Sequence, residues 1–449
     1  MEKFKITINN NKEKIAEFLF VIVLTLICFV WSIKMPYKYG PDEEMKMDVC
    51  NYIYKYGNLP KGNDQSIRDE CWGISYSFTP ILDYMFSGIF MKFVSIFDTS
   101  NLTLLVAARF PSVLSYMGTL ILIILISKKL FKRKTLRWLF ITIIGCLPQF
   151  IFLGSYINND CFAVFTIALI IYAWILGLES NWKIKSCVLL GTGIGLCALS
   201  YYNAYGYILT SVIIFIASYY RNQRKDVWKK DFWKKVAIIS VIAFVIAGWW
   251  FIRNAYLNNG DFLGLSTTDK YAELYAEENY KPSERVTPEK QDQSLLKMLI
   301  WDQWIWQTIR SFIGVFGNMT EIFPIGFYIF YLIVFTFGIV GAILYKHHNR
   351  KRDRTKNRRL IETVFKLNIV IPICLSMYYS YSSDFQAQGR YIMPGLIPIM
   401  YFIIKGLGHL SDKYINKNQK IVEKVIIILL MCVGITMVAI GISGWNLKD

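Results

Sequence analysis

Three acidic residues stand together in Gly40-Pro41-Asp42-Glu43-Glu44, just past a long apolar run at 15–33. Carboxylates crowded at a membrane surface repel one another and lose hydration. Both effects raise a pKa toward the range useful for a general base. The same residues would also make a plain helix start, with Pro in the first turn and acids after it. A further acid, Asp160, closes Asn158-Asn159-Asp160 between two other apolar runs. Asn and Asp favour helix caps. An acid beside apolar sequence is nonetheless costly unless it has a partner or a task.

The cations suited to a phosphate are Arg253, in Gly248-Trp249-Trp250-Phe251-Ile252-Arg253-Asn254, and Arg390, in Gln388-Gly389-Arg390-Tyr391. A guanidinium binds phosphate bidentately, although a long side chain at a span end also snorkels to the headgroups. Arg109 differs, because Ala107-Ala108-Arg109-Phe110-Pro111 lies well inside an apolar run. Unpaired there, it would cost roughly 2.5–3.5 kcal/mol. It must face the interior and pair with an acid, for which Asp42 and Asp160 are candidates. A structural ion pair and a substrate contact are both open. No Gly-rich phosphate loop, Ser-His-Asp set, HExxH or CxxC occurs.

Positioning such residues requires membrane-spanning helices. Hydrophobic residues make up 54 % of the 449 and charged residues 18 %, against about 25 % charged in soluble domains. Mean hydropathy is +0.36. Spans of about 20 apolar residues fall at 15–33, 102–126, 136–153, 159–178, 186–200, 205–220, 235–252, 322–345, 360–380, 390–408 and 423–444. Two more apolar stretches, 80–97 and 297–316, hold charges or several Trp and read as interfacial or re-entrant helices. The first span reads as a retained anchor, since Trp31-Ser32-Ile33-Lys34-Met35-Pro36 offers no small-residue cleavage site.

Loops rich in Lys and Arg stay cytoplasmic. With the N-terminus inside, the inner segments are 1–14, 127–137, 179–185, 221–235, 346–359 and 409–424. They carry 31 of the 50 basic residues. The net charge of +18 is therefore a topological signal and not a nucleic-acid footprint. His347, His348 and His409, the only histidines, fall inside. A general base on the outer face must then be a carboxylate or something less usual. The chain reads as one transmembrane domain, 1–449, with two large outer loops, 34–101 with juxtamembrane helices and 253–321. Asp42, Asp160, Arg253 and Arg390 all reach the outer face. Cys50 and Cys71 share the first outer loop and could form a disulfide. The polar 261–293 reads as a lid or a solvated loop, and Trp301, Trp304 and Trp306 as interface residues or a sugar-binding surface.

Taken together, several segments resemble a bacterial family of polytopic membrane proteins of unknown function. They are Gly40-Pro41-Asp42-Glu43, Tyr156-Ile157-Asn158-Asn159-Asp160, Trp250-Phe251-Ile252-Arg253-Asn254 with Gly260-Asp261-Phe262-Leu263-Gly264, Ser311-Phe312 to Phe316-Gly317, and Gln388-Gly389-Arg390-Tyr391-Ile392-Met393-Pro394. That family is similar to the GT-C glycosyltransferases, which include protein mannosyltransferases and aminoarabinose transferases. The resemblance runs from about 15 to 400. It implies an all-α, GT-C-like integral membrane protein of about 11–13 transmembrane helices in the plasma membrane. It also implies a polyprenyl-phosphate-linked sugar as donor and transfer on the extracytoplasmic face to a cell-envelope glycan or lipid. On this resemblance Asp42 is the base, with Glu43 beside it, and Asp160 is the second acid. Arg253 or Arg390 would hold the lipid phosphate on this resemblance; Gln388 and Arg109 are further candidate donor contacts from the residues themselves. A divalent cation, Mg or Mn, held by Asp42 and Asp160 is chemically possible, although the chemistry does not require one. The alternatives are a transporter or flippase of lipid-linked sugars, and a glycan polymerase or ligase.

Overall fold

The computed structural model describes residues 2–222, 230–348 and 356–444. The chain runs through α1 (Glu2–Lys34), α2 (Glu43–Tyr56), α3 (Leu82–Val94), α4 (Asn101–Leu130), α5 (Lys134–Gly145), α6 (Pro148–Leu153), α7 (Asn159–Ser180), α8 (Ile184–Ala198) and α9 (Gly206–Asn222). It continues with α10 (Lys230–Leu257), α11 (Leu265–Tyr275), α12 (Leu295–Ile300), α13 (Trp304–Gly314), α14 (Ile325–His348), α15 (Lys356–Ser382), α16 (Leu396–Leu410) and α17 (Gln419–Ser443). Among the described residues the only extended pairing is one bridge between Phe316 and Glu321.

Every expected span coincides with a helix, but not every helix reaches bilayer length. Seven helical runs are long and apolar enough to cross: α1, α4, α7, α10, α14, α15 and the run Gly389–Ser443, which contains α16 and α17. The expected span at 136–153 is broken into α5 and α6, and α8 is short. Stretch 80–97 becomes α3, whose 13 residues extend only about 20 Å. Stretch 297–316 splits into α12 and α13 where Gln303 takes φ 60°. Neither stretch spans a bilayer core of about 30 Å.

The break between α5 and α6 has a local cause. Pro148 begins α6 and cannot donate to the preceding turn. A freed carbonyl inside a membrane needs another donor. Tyr116 donates its hydroxyl to the Gly145 carbonyl at 2.6 Å, and Tyr331 reaches the Cys146 carbonyl at 3.5 Å. Helices α14 and α16 lie so close that a Cβ on Gly406 would sit 1.8 Å from the Gly338 carbonyl. Small residues permit this approach where lipid supplies no hydrophobic drive.

Described residues from four of the segments assigned to the inside by charge, 1–14, 127–137, 179–185 and 409–424, meet at one end of the bundle. At the basic end Lys128 pairs with Glu17 at 2.6 Å, Lys134 with Glu13 at 3.1 Å, Lys129 with Glu179 at 2.6 Å and Arg133 with Asp412 at 2.7 Å. At the opposite end the two large loops join. Asn63 donates to the Tyr271 hydroxyl at 3.0 Å, and Arg253 donates to the Pro60 carbonyl at 2.7 Å. Of the spans α7 is the most enclosed, with 78 % of its apolar window buried. Its first turn, which carries Asp160, is buried as well.

Candidate active site

The three adjacent acids go to three different cations. Asp42 occupies the N-cap position of α2 with φ 60° and ψ 15°. This left-handed conformation is unfavourable for a non-glycine residue by roughly 1 kcal/mol or more. A capping Asp normally gains a backbone N–H in return, but this side chain makes no cap bond. Its Oδ2 instead accepts from Arg390 Nη1 at 2.9 Å, 348 residues away in sequence. Glu43 turns inward to Arg109, and Glu44 turns outward to Lys38 at 2.5 Å.

This separation reverses one sequence expectation. Crowding does not raise the Asp42 carboxyl. Burial alone would lift it, but Arg390, Lys46 and the Tyr76 hydroxyl outweigh that and hold it down, to about 2. Asp42 is therefore ionised and a weak base while its ion pair is closed.

Arg390 lies in a 3-10 segment, Gly389–Gly395, that α13 holds in place. The Gly389 N–H donates to Ser311 Oγ at 2.7 Å. A Cβ on residue 389 would lie 2.1 Å from the Phe312 backbone nitrogen. Gly389→Ala should thus push Arg390 off α13 at a cost of about 1–3 kcal/mol, seen as a lowered melting midpoint of the detergent-solubilised protein. An unchanged midpoint would contradict this contact. Arg390 Nη2 also donates to the Tyr391 hydroxyl at 3.0 Å, and that hydroxyl donates to Gln386 Oε1.

Lys46 is the residue that the sequence reading missed. It sits one helical turn after Asp42, on the same face, and is only 1 % exposed. Its Nζ donates to the Pro41 carbonyl at 3.0 Å and lies 5.4 and 5.5 Å from the ring centres of Tyr76 and Tyr156. Burial depresses its pKa, with Asp42 opposing. The i, i+4 spacing from Asp42 was the available signal. Asp160 completes the group at the start of α7. The cap there is Asn158, whose Oδ1 accepts from the Asp160 N–H at 2.6 Å. The Asp160 carboxylate accepts no hydrogen bond among the described residues, and Arg390, Lys46 and Asp42 all act on it electrostatically. Among the described residues, several buried polar atoms around this group lack hydrogen-bond partners, including Arg390 Nε, Gln388 Oε1, Asn159 Nδ2, Asn158 Nδ2 and the Tyr156 hydroxyl. Such atoms at a cleft mark places where a ligand or water completes the set.

Other expected members lie elsewhere. Glu43 is sequestered, since its oxygens accept from Arg109 Nε and Nη2 at 2.7 and 2.8 Å. Arg109 also donates to the carbonyls of Ser32, Met35 and Pro36. Its partner is therefore Glu43, not Asp42 or Asp160, and all its donors are engaged in closing the end of α1. A catalytic role for Glu43 and a donor contact for Arg109 are both displaced by this pair. Arg253 donates to the Leu59 and Pro60 carbonyls and stacks over Trp250, which ties it to the first loop rather than to Asp42. Cys50 is buried in α2 and Cys71 is exposed on a turn against Glu277, so the two thiols are free and point to different surroundings. Mg or Mn between Asp42 and Asp160 would find only these two carboxylates, with Arg390 and Lys46 repelling it. Among the described residues no three metal-binding side chains cluster, and no step below uses a metal.

One more acid lies behind Lys46. Asp83, on α3, is buried with neither carboxylate oxygen hydrogen-bonded. Burial pushes it up to about 7, with Lys46 opposing. The folded chain holds this proton more tightly than the unfolded chain, so stability falls as pH rises from about 4 to about 7. Asp83→Asn should remove that loss. Its melting midpoint relative to the wild type should rise between pH 5 and pH 8, and a constant difference would contradict the burial.

The fold has known counterparts. The chain superposes on the oligosaccharyltransferase of Archaeoglobus fulgidus with a TM-score of 0.57 and 13 % identity, over 94 % of this chain and 56 % of that one. A second structure of that enzyme, in complex with an inhibitory peptide and a dolichol-phosphate, gives 0.55 and 12 %, over 96 % and 56 %. ArnT from Cupriavidus metallidurans bound to undecaprenyl phosphate gives 0.53 and 13 %, over 91 % and 63 %. This chain thus spans between half and two thirds of these proteins' lengths. The likeness establishes the GT-C fold expected from the sequence. No curated protein matches the chain in sequence. The family model for predicted membrane proteins called DUF2142 matches residues 43–400, a stretch that holds Lys46, Asp160 and Arg390 and begins one residue after Asp42, and the chain belongs to this family.

Proposed function

We propose that the protein is a membrane glycosyltransferase. It moves a sugar from a polyprenyl-phosphate donor to a hydroxyl acceptor at the end of the bundle that carries Asp42. The observation that carries this is the Asp42–Arg390 ion pair, 2.9 Å across, with Lys46 and Asp160 around it. The likeness of fold to proteins whose structures hold dolichol-phosphate and undecaprenyl phosphate supports the donor class. The basic end faces the cytoplasm by the charge rule, which puts the site on the outer face.

The geometry suggests an exchange of partners. The donor phosphate takes the Arg390 guanidinium, which binds phosphate oxygens as readily as a carboxylate. Asp42 then loses the largest of the influences that hold its pKa down, while Lys46 remains beside it, and becomes a better base. It takes the proton of the acceptor hydroxyl as that oxygen bonds to the anomeric carbon. The bond from that carbon to the phosphate oxygen breaks, and polyprenyl phosphate leaves with the extra negative charge. Arg390 and Lys46 stabilise that charge in a dehydrated site.

The test is donor binding and turnover together. Purified protein should bind undecaprenyl phosphate, and Arg390→Gln should weaken binding by more than tenfold, since loss of a buried charged contact costs about 2–5 kcal/mol. Equal binding by the variant would remove Arg390 from the donor site. Movement of a sugar-lipid across proteoliposomes, with no bond made or broken, would replace this proposal with the transporter alternative.

A further inference from the structure

At the basic end, far from Asp42, a cavity of about 590 Å³ opens between the starts of α5 and α17. Arg133, Lys134 and Trp138 form one wall, and Lys420, Lys424 and Ile427 the other. Lys134 and Trp138 are four residues apart, and Lys420, Lys424 and Ile427 follow at steps of four and three. Each helix therefore lines the groove with a single face. Along both helices charge comes first and apolar side chains follow one turn deeper.

The cations are not equally engaged. Arg133 meets Asp412 at 2.7 Å and Glu423 at 3.2 Å, and Lys134 meets Glu13 at 3.1 Å. Glu423 is further occupied by Thr135 and Ser411. Lys420 and Lys424 are exposed and make no ion pair among the described residues. Two like charges one turn apart on a helix repel each other. An anion seated between them would remove that repulsion.

We propose that this groove binds one anionic phospholipid. Its phosphate lies between Lys420 and Lys424, and an acyl chain runs along Trp138 and Ile427. The charge of the rim selects an anion, and the apolar floor selects one that carries a hydrocarbon chain. The location agrees, because basic pockets between transmembrane helices hold anionic head groups and Trp settles at the membrane interface. A soluble phosphate would use the lysines and leave the floor uncovered.

The full-length protein in detergent, titrated with phosphatidylglycerol and phosphatidylcholine and read by native mass spectrometry, tests this. Phosphatidylglycerol should bind at least tenfold tighter. Lys420→Gln with Lys424→Gln should abolish that preference without lowering the lipid-free melting midpoint, and Lys420→Arg with Lys424→Arg should retain it. A photoactivatable phosphatidylglycerol should label the segments around Trp138 and Ile427. Equal binding of the two lipids, an unchanged preference in the Gln variant, labelling confined to other segments, or displacement by inorganic phosphate as effective as by lipid would each overturn the proposal.

Discussion

Asp42→Asn should reduce sugar transfer by roughly 10²- to 10⁴-fold, the usual contribution of a positioned proton acceptor. The substitution is nearly isosteric, so the remaining amide oxygen can still accept from Arg390. What disappears is the capacity to take a proton from the acceptor hydroxyl. The loss should fall on kcat. Donor affinity should hold or improve, because Arg390 no longer has a carboxylate competing with the phosphate. That split separates a base from a residue that merely shapes the site, whose loss would weaken donor binding too. The assay is transfer from a supplied polyprenyl-phosphate sugar in proteoliposomes, with donor binding measured in parallel. Transfer within a few-fold of the wild type would show that Asp42 is not the base.

The second large effect concerns folding. Arg109→Met should destabilise the protein by about 3–5 kcal/mol, because it leaves the buried Glu43 carboxylate without its cation and with only the Ile157 N–H, 3.4 Å away, as donor. The Arg109 guanidinium also serves the carbonyls of Ser32, Met35 and Pro36 at the end of α1, where a cation offsets unsatisfied C=O groups. Glu43→Gln should cost less, since Arg109 would keep those three acceptors. A double change, Glu43→Leu with Arg109→Met, should recover part of the single Arg109→Met loss, because no buried charge remains. Size-exclusion profiles and melting midpoints in detergent read all three. Folded Glu43→Gln should still transfer sugar per molecule at near the wild-type rate. A wild-type midpoint for Arg109→Met would sink the structural role given to this pair.

These two outcomes turn on a distinction that the sequence left open. Hydropathy located every helix that could cross the membrane, because apolar runs and basic loops are written directly in composition. The convergence of Asp42, Asp160 and Arg390 followed from that alternation. Which acid meets which cation did not, because it depends on one dihedral. The left-handed turn at Asp42 sends its carboxylate to Arg390 and leaves Glu43 pointing at Arg109. Pattern counting cannot resolve adjacent residues separated by such a turn. Arg253 lies apart from Asp42 for a different reason. Its partners are backbone carbonyls, and these have no signature in side-chain type. Lys46 was overlooked because a lysine on a short polar helix reads as solvated. Only the rings of Tyr76 and Tyr156 closing over it reveal its burial.

The separation of 348 positions between Asp42 and Arg390 also bears on timing. A chain made from its N-terminus places Asp42 at the membrane surface long before Arg390 exists. Contacts this distant in sequence close late, because loop entropy must be overcome first. Throughout that interval the nascent bundle holds a carboxylate with no guanidinium opposite it. The proposed chemistry needs both, so an incomplete chain would have no means to open a lipid-linked sugar. Competence would then arrive in a single step, when the last helices dock against the first.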